Sequence, residues 1–264
     1  MLTTIDRPRL PSPRGAAAAA TWIQRAIGIA AYLALWEIAG RRQWLGRTFP
    51  PVSDIVDKVI DPAQRDVVLR ALRTTATSSG LGFVIGVTAA VVGAVAALVV
   101  PVLRPGINQL ATILHAMPVI ALAPLFIVTL GRERTPVAIA ALAAGFAMFV
   151  AATAAVETAR PIHHDVFTAL GSSRRRRLVS LQLPAALPGL ADGLRLAAPA
   201  AVLGAVLGEW FGAPRGIGVL IVSAMQNYQI ALLWAAAVLA AVLSMLTFGA
   251  FTALARWTTE RWGV

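Results

Sequence analysis

The chain has 264 residues, 58% of them hydrophobic and 13% charged, whereas soluble domains run at roughly 45–50% apolar and about 25% charged; it reads as an integral membrane protein. The formal charge of +11 comes from arginine, with Lys58 the single lysine, and in a membrane protein such an excess belongs to loops facing anionic lipid and cytoplasm. Nucleic acid would need a basic soluble face. Cysteine is absent, which excludes disulfides, thiolate metal sites and a cysteine nucleophile, and His115, His163 and His164 are too poorly spaced for a histidine metal site.

Residues 1–21 form a Pro/Arg-rich tail, expected to be disordered. It resembles a signal n-region, but the apolar stretch behind it runs on into Trp36-Glu37 without a small-residue cleavage site, so an uncleaved first span is expected. Six apolar segments follow one another: Trp22–Gly40, Leu81–Val100, Ile107–Leu130, Pro136–Val156, Leu194–Phe211 and Ile230–Ala255. Each is about the 20 residues that a spanning helix needs, and hydrocarbon tolerates no unpaired backbone, so the spans are helical. Alternating ten-residue segments of a barrel are not seen.

Between the first two spans, Arg41 to Thr75 is an amphipathic connection, with Leu69, Leu72 and Ala76 at helical spacing; a surface helix leading into the second span is expected. Pro101 and Pro105 bracket a tight turn. Pro118 and Pro124 each remove a backbone donor from the third span, which should be kinked or broken. Six spans put both termini on one side. Basic residues favour the cytoplasm for that side only slightly, and the tight Arg174–Arg177 cluster after span four sets the orientation. Trp22, Trp36, Trp44, Trp210, Trp257 and Trp262 flank span ends as an interfacial belt would.

No G-x-x-x-x-G-K-[ST], G-x-S-x-G or H-E-x-x-H occurs, and polar residues within spans are few, so an enzyme is not expected. The segment Asp165 to Pro184 carries more information. Helical character ends at Gly171, Ser172 or Ser173 can cap a second short helix, and that helix should run from Arg174 to about Leu183, where Pro184 restricts its neighbour. Four arginines then crowd the positive end of a helix dipole. A positive-inside anchor accounts for the arginines, but not for the glycine hinge and the Leu181-Gln182-Leu183-Pro184 run at fixed spacing.

That spacing resembles the docking loop of binding-protein-dependent ABC importer permeases: E-A-A, three residues, G, nine residues, I-x-L-P. Here Asp165-Val166-Phe167 stands for the triplet, in degenerate form, followed by Gly171 and Leu181-Gln182-Leu183-Pro184. Pro184 to Gly189, Gly193-Leu194-Arg195, Trp36-Glu37, Pro50-Pro51-Val52-Ser53, Met117-Pro118, Ala123-Pro124, Gly131, Gly208-Glu209 and Gly216-Ile217-Gly218 resemble the nitrate/sulfonate/taurine branch. The likeness covers about Ala34 to Arg256. His115, where an arginine is common, and Glu157, where a glycine is frequent, depart from the branch.

The resemblance implies an all-α, six-span membrane protein with the type I ABC importer permease fold. A permease domain would occupy 22–256, with a cytoplasmic docking loop at 157–193 and a cytoplasmic tail at 257–264. Asp165, Val166, Phe167, Thr168, Ala169, Leu170, Gly171, Ser172, Ser173, Arg174, Leu181, Leu183 and Pro184 would meet the ATPase, with Gly171 as hinge. His115, Met117, Pro118, Arg195 and Glu209 are candidates for the substrate pathway, because polar groups within spans are costly and often functional; for Glu209 and His115 a structural hydrogen-bonding role is the competing reading. Glu37 reads as interfacial. Gly82/Gly86 and Gly204/Gly208 read as compositional background.

The chain would hold no cofactor or metal of its own, ATP and magnesium being bound by partner ATPase subunits. A second copy of the chain, an extracytoplasmic solute-binding protein and the bilayer complete the expected partners, in a prokaryotic inner or plasma membrane. The expected solute is a small anion or organosulfonate. One rival is a neutral heterocycle such as a pyrimidine vitamin precursor, and another is a stand-alone secondary transporter, which would show internal repeats and midplane charges.

Overall fold

In the computed structural model, residues 14–156, 167, 169–173, 176 and 178–262 are described. The chain divides into two compact units at Asp57/Lys58.

The first unit holds α1, Arg14–Arg41, and the start of α2, Val52–Ile60. Their junction is built from the two motifs flagged above. Glu37, one turn from the end of α1, accepts the Ser53 backbone N–H at 3.0 Å and the Ser53 hydroxyl at 2.8 Å. Its own helix supplies Arg41, whose Nε donates to the same carboxylate at 2.6 Å. Trp36 donates its indole N–H to the Pro50 carbonyl at 3.1 Å and stacks on Phe49. Glu37 is therefore a cap supplied in trans to the orphan amides that open α2.

In the second unit α3, Pro62–Val99, is one helix of 38 residues. Asp61 opens it by accepting the Ala63 N–H at 2.9 Å, with Pro62 in the first turn, the signature of a helix start. The amphipathic connection and the second span are thus continuous, as expected from the spacing of Leu69 and Leu72. A single 3₁₀ turn, Pro101–Leu103, leads to α4, Arg104–Ala116, and α5, Val119–Leu130. The third span is broken rather than bent. Met117 and Pro118 are extended (ψ 128° and 110°), because Pro118 forbids its neighbour the helical region.

Then come α6, Thr135–Val156, α7, Leu183–Trp210, α8, Ile217–Gln226, and α9, Ile230–Trp262. Among the described residues, four helical stretches are long and apolar enough to cross a membrane: Pro62–Val99, Thr135–Ala155, Val179–Trp210 and Ile230–Arg261. They carry the expected second, fourth, fifth and sixth spans. The first corresponds to α1, less apolar because Gln24, Arg25 and Glu37 lie along it, and the third to the α4–α5 pair. The described residues are helical or irregular, without strands.

The core of this unit is made of small residues. Ala90 and Ala94 of α3, Ala140, Ala144 and Ala152 of α6, and Ala197, Ala201 and Ala205 of α7 form one buried cluster with Met148. Spaced four apart, they put one narrow face of each helix against its neighbours. Gly82 and Gly86 sit where a Cβ would strike the α6 backbone, and Gly204 where it would come within 2.8 Å of Ala140 Cα. The small-residue pairs are therefore intrachain points of close approach, which corrects their reading as background.

Candidate functional site

The described part of the loop shows how the chain turns at Gly171. Gly171 has φ +64°, and the Ser172 N–H donates to the Phe167 carbonyl at 2.9 Å. That is the six-to-one bond of a Schellman C-cap, with glycine at the left-handed position. Nothing lies within 4 Å of a Cβ built on Gly171, so glycine is needed there for its conformation and not for space. Ser173 then caps the next turn, its hydroxyl oxygen facing the Arg176 N–H at 3.4 Å. Of the two serines expected to do this, it is the second.

Beyond the cap the structure corrects the expectation that the helix stops at Pro184. Leu178–Gln182 forms a π turn, and α7 begins at Leu183 with Gln182 still helical (φ −70°, ψ −47°). A proline in a regular helix loses one hydrogen bond and clashes with the carbonyl four residues back. The wider π turn relieves that clash, so the chain passes through Pro184 without turning. Leu178–Gln182 is therefore continuous with the fifth span.

Leu170 is 75% exposed and Leu183 41% exposed, while Phe167, Leu181 and Pro184 are half-buried and Ala169, Gly171, Ser173 and Arg176 exposed. Asp165, Val166, Thr168 and Arg174 lie outside the described residues, as does Glu157.

Of the pathway candidates, Arg195 and Glu209 stand well apart on α7. Met117 and Pro118 form the break between α4 and α5; His115 is on the last turn of α4, and its side chain lies outside the described part. Arg195 pairs with Asp192 on its own helix at 3.1 Å and lies over the Phe248 ring at 5.7 Å, a cation–π contact. Glu209 is fourteen residues further along α7, about 21 Å at ~1.5 Å per residue.

Glu209 is 1% exposed and every contact it makes is internal. Its carboxylate accepts the Thr75 hydroxyl of α3 at 2.8 and 3.0 Å and the Gly218 N–H of α8 at 2.8 Å. The Ile217 N–H donates to the same Thr75 oxygen at 2.8 Å. Gly216 (φ +135°) leaves the carboxylate the room a Cβ would take. A buried charge is tolerated when its lone pairs are met by donors and a helix N-terminus, and both conditions hold. Sequence reasoning singled out Glu209 and Gly216-Ile217-Gly218 but missed Thr75, an ordinary threonine with no local signal.

The family described as "Binding-protein-dependent transport system inner membrane component" matches residues 65–260, which takes in every helix from α3 to α9. The chain belongs to that family. It is the permease subunit of an ABC importer and a multi-pass membrane protein.

Among curated relatives, the formylaminopyrimidine transport permease protein ThiX of Halalkalibacterium halodurans is 26% identical over 84% of this chain and 89% of its own length. A probable ABC transporter permease protein of Haemophilus influenzae is 31% identical over 62% of this chain and 66% of its own. The putative aliphatic sulfonates transport permease protein SsuC of Bacillus subtilis is 30% identical over 55% and 51%. Among solved structures, the MetNI methionine ABC transporter in inward facing conformations aligns with a TM-score of 0.57 at 21% identity, over 74% of this chain and 95% of that one. At that identity the likeness speaks for the fold.

Proposed function

We propose that this permease carries a small organic solute across the cytoplasmic membrane in partnership with separate ATPase subunits, through the loop around Gly171. The observation that carries the reading is the continuity of Leu178–Gln182 with α7. The π turn runs directly into a helix of 28 residues, and the cap at Gly171 and Ser173 lies just before it in the chain. Motion imposed at this turn would pass directly into α7, whose interior Pro188 and Pro199 each remove a backbone hydrogen bond along the way. Exposed Leu170 and half-buried Phe167 supply apolar contact for a groove on the ATPase, and the Arg174–Arg177 run supplies positive charge for its acidic groups. The permease does no bond chemistry; alternating access follows from two arrangements of the bundle biased by nucleotide on the ATPases. In this reading both termini are cytoplasmic, two copies of the chain enclose the pathway, and an extracytoplasmic binding protein delivers the solute.

Of the two substrate classes, a pyrimidine-type heterocycle has the broader support. The relative named for formylaminopyrimidine aligns over most of both chains, and Arg195, the cation expected to meet an anion, already has Asp192 as counter-ion. An organosulfonate is the second reading, favoured by the higher identity to SsuC within the shared segment. Calorimetric titration of the cognate binding protein with a formylaminopyrimidine and with an alkanesulfonate separates them: submicromolar binding of the sulfonate alone overturns the first reading. Affinity purification of the tagged chain tests the partnership, with an ATPase subunit expected in the eluate. Recovery of the chain by itself, still active in transport, would point instead to a secondary transporter.

A further inference from the structure

The far end of α7, away from the loop, is joined to two other helices by one buried knot. The first two amides of α8 are taken up there, Gly218 by Glu209 and Ile217 by Thr75, and the threonine hydroxyl closes the triangle by donating to the carboxylate. We propose that Glu209 and Thr75 are positioning residues for transport, binding α8 to α3 and α7 so that the three move as one body during the cycle.

The remaining contacts of α8 could not do this alone. Its buried core contacts are apolar: Ile217 with Ala71 and Ala236, and Ala224 with Val68 and Leu232. Such surfaces hold helices together but resist sliding weakly, because dispersion has little directionality. The knot is directional. Its hydrogen bonds are all 2.8–3.0 Å long, its carboxylate is buried, and the Cβ that Gly218 lacks would overlap the Val206 carbonyl. No water shell is available to replace a lost partner, so the bonds are costly to open. Glu209 lies about 39 Å along α7 from Leu183 at ~1.5 Å per residue. A displacement started at the loop thus arrives at the knot and passes to α8.

The proposal rests on the permease reading above, and its test keeps the two apart. The wild-type chain is first shown to recover its ATPase subunit and to transport in proteoliposomes; failure there overturns the permease reading and takes this one with it. Glu209→Gln, Thr75→Val, Thr75→Ser and the Glu209→Gln/Thr75→Val double variant are then purified as complete complexes. Per recovered complex, Glu209→Gln and Thr75→Val should each lower the maximal transport rate at least tenfold, with the half-saturating concentration of loaded binding protein and basal ATP hydrolysis within about twofold. Thr75→Ser, which keeps the hydroxyl, should restore the rate to within about twofold. The double variant should be no worse than the poorer single one, as expected for residues acting through one joint. Unchanged transport per recovered complex in both single variants overturns the proposal, and so does a loss confined to yield or thermal midpoint, which would mark a merely structural role.

Discussion

Two carboxylates in this chain do the same physical work at opposite scales of burial. Glu37 reaches from the end of α1 to the Ser53 amide in the first turn of α2, and Glu209 from the end of α7 to the Gly218 amide in the first turn of α8. Each meets donors that a helix N-terminus cannot satisfy by itself. At the half-buried Glu37–Ser53 corner water can stand in, so Ser53→Ala should leave the chain folded and transporting while speeding hydrogen exchange of the amides at 53–55 severalfold. Gly171 is a sharper case. Its φ of +64° costs a β-branched residue ~1–2 kcal/mol, with no steric clash to confuse the reading. Gly171→Val should insert normally yet lose the coupling of transport to ATP hydrolysis; substrate-stimulated hydrolysis at the wild-type rate would count against the hinge.

Between elements, what decides the packing is the absence of side chain. Along α3, Gly86 faces the α6 backbone with no room for a Cβ, whereas Gly80, six residues earlier, has nothing within 4 Å. Gly86→Val should therefore cost at least the roughly 1–3 kcal/mol of an overpacked core. Gly80→Ala should be neutral or stabilise by up to about 1 kcal/mol through backbone entropy. Thermal unfolding in one detergent, followed by tryptophan fluorescence, distinguishes the pair, and equal midpoints would mean that α3 and α6 do not approach as closely as they do here. The π turn at Leu178–Gln182 belongs to this scale as well. Replacing Pro184 by alanine removes the reason for the wide turn, and a shortened register should rotate the loop relative to α7. The expected result is a complex that still forms but transports at a reduced rate; an unchanged rate would show that the turn has no part in coupling.

For the molecule as a whole, the division of labour follows from the solvent. A bilayer gives helices no hydrophobic reason to associate, so association rests on close packing of small residues and on a few buried polar joints. The alanine-lined contact of α3, α6 and α7 supplies the first and the Glu209–Thr75 knot the second. If both ends of the chain are cytoplasmic, a membrane-impermeant reagent should label a cysteine placed at either terminus only from the cytoplasmic side of oriented vesicles. The chain has no native cysteine, which makes the result unambiguous, and labelling of one terminus from outside would break the six-span topology.

Membrane residence, helical class and the break at Pro118 were determined by the sequence itself, because they depend on local hydropathy, on backbone hydrogen bonding in hydrocarbon and on proline covalent geometry. The helix end at Gly171 was legible for the same reason: a left-handed cap is a property of a few consecutive residues. Three things were decided only in three dimensions. Pro184 reads as a helix end, but a π turn carries the chain through it into α7. Gly82, Gly86 and Gly204 look like background in an alanine-rich chain, and only the facing α6 backbone gives them a role. Thr75 is invisible because its partner is 134 residues away; a buried hydrogen bond is set by which helices meet, and local sequence does not encode that meeting.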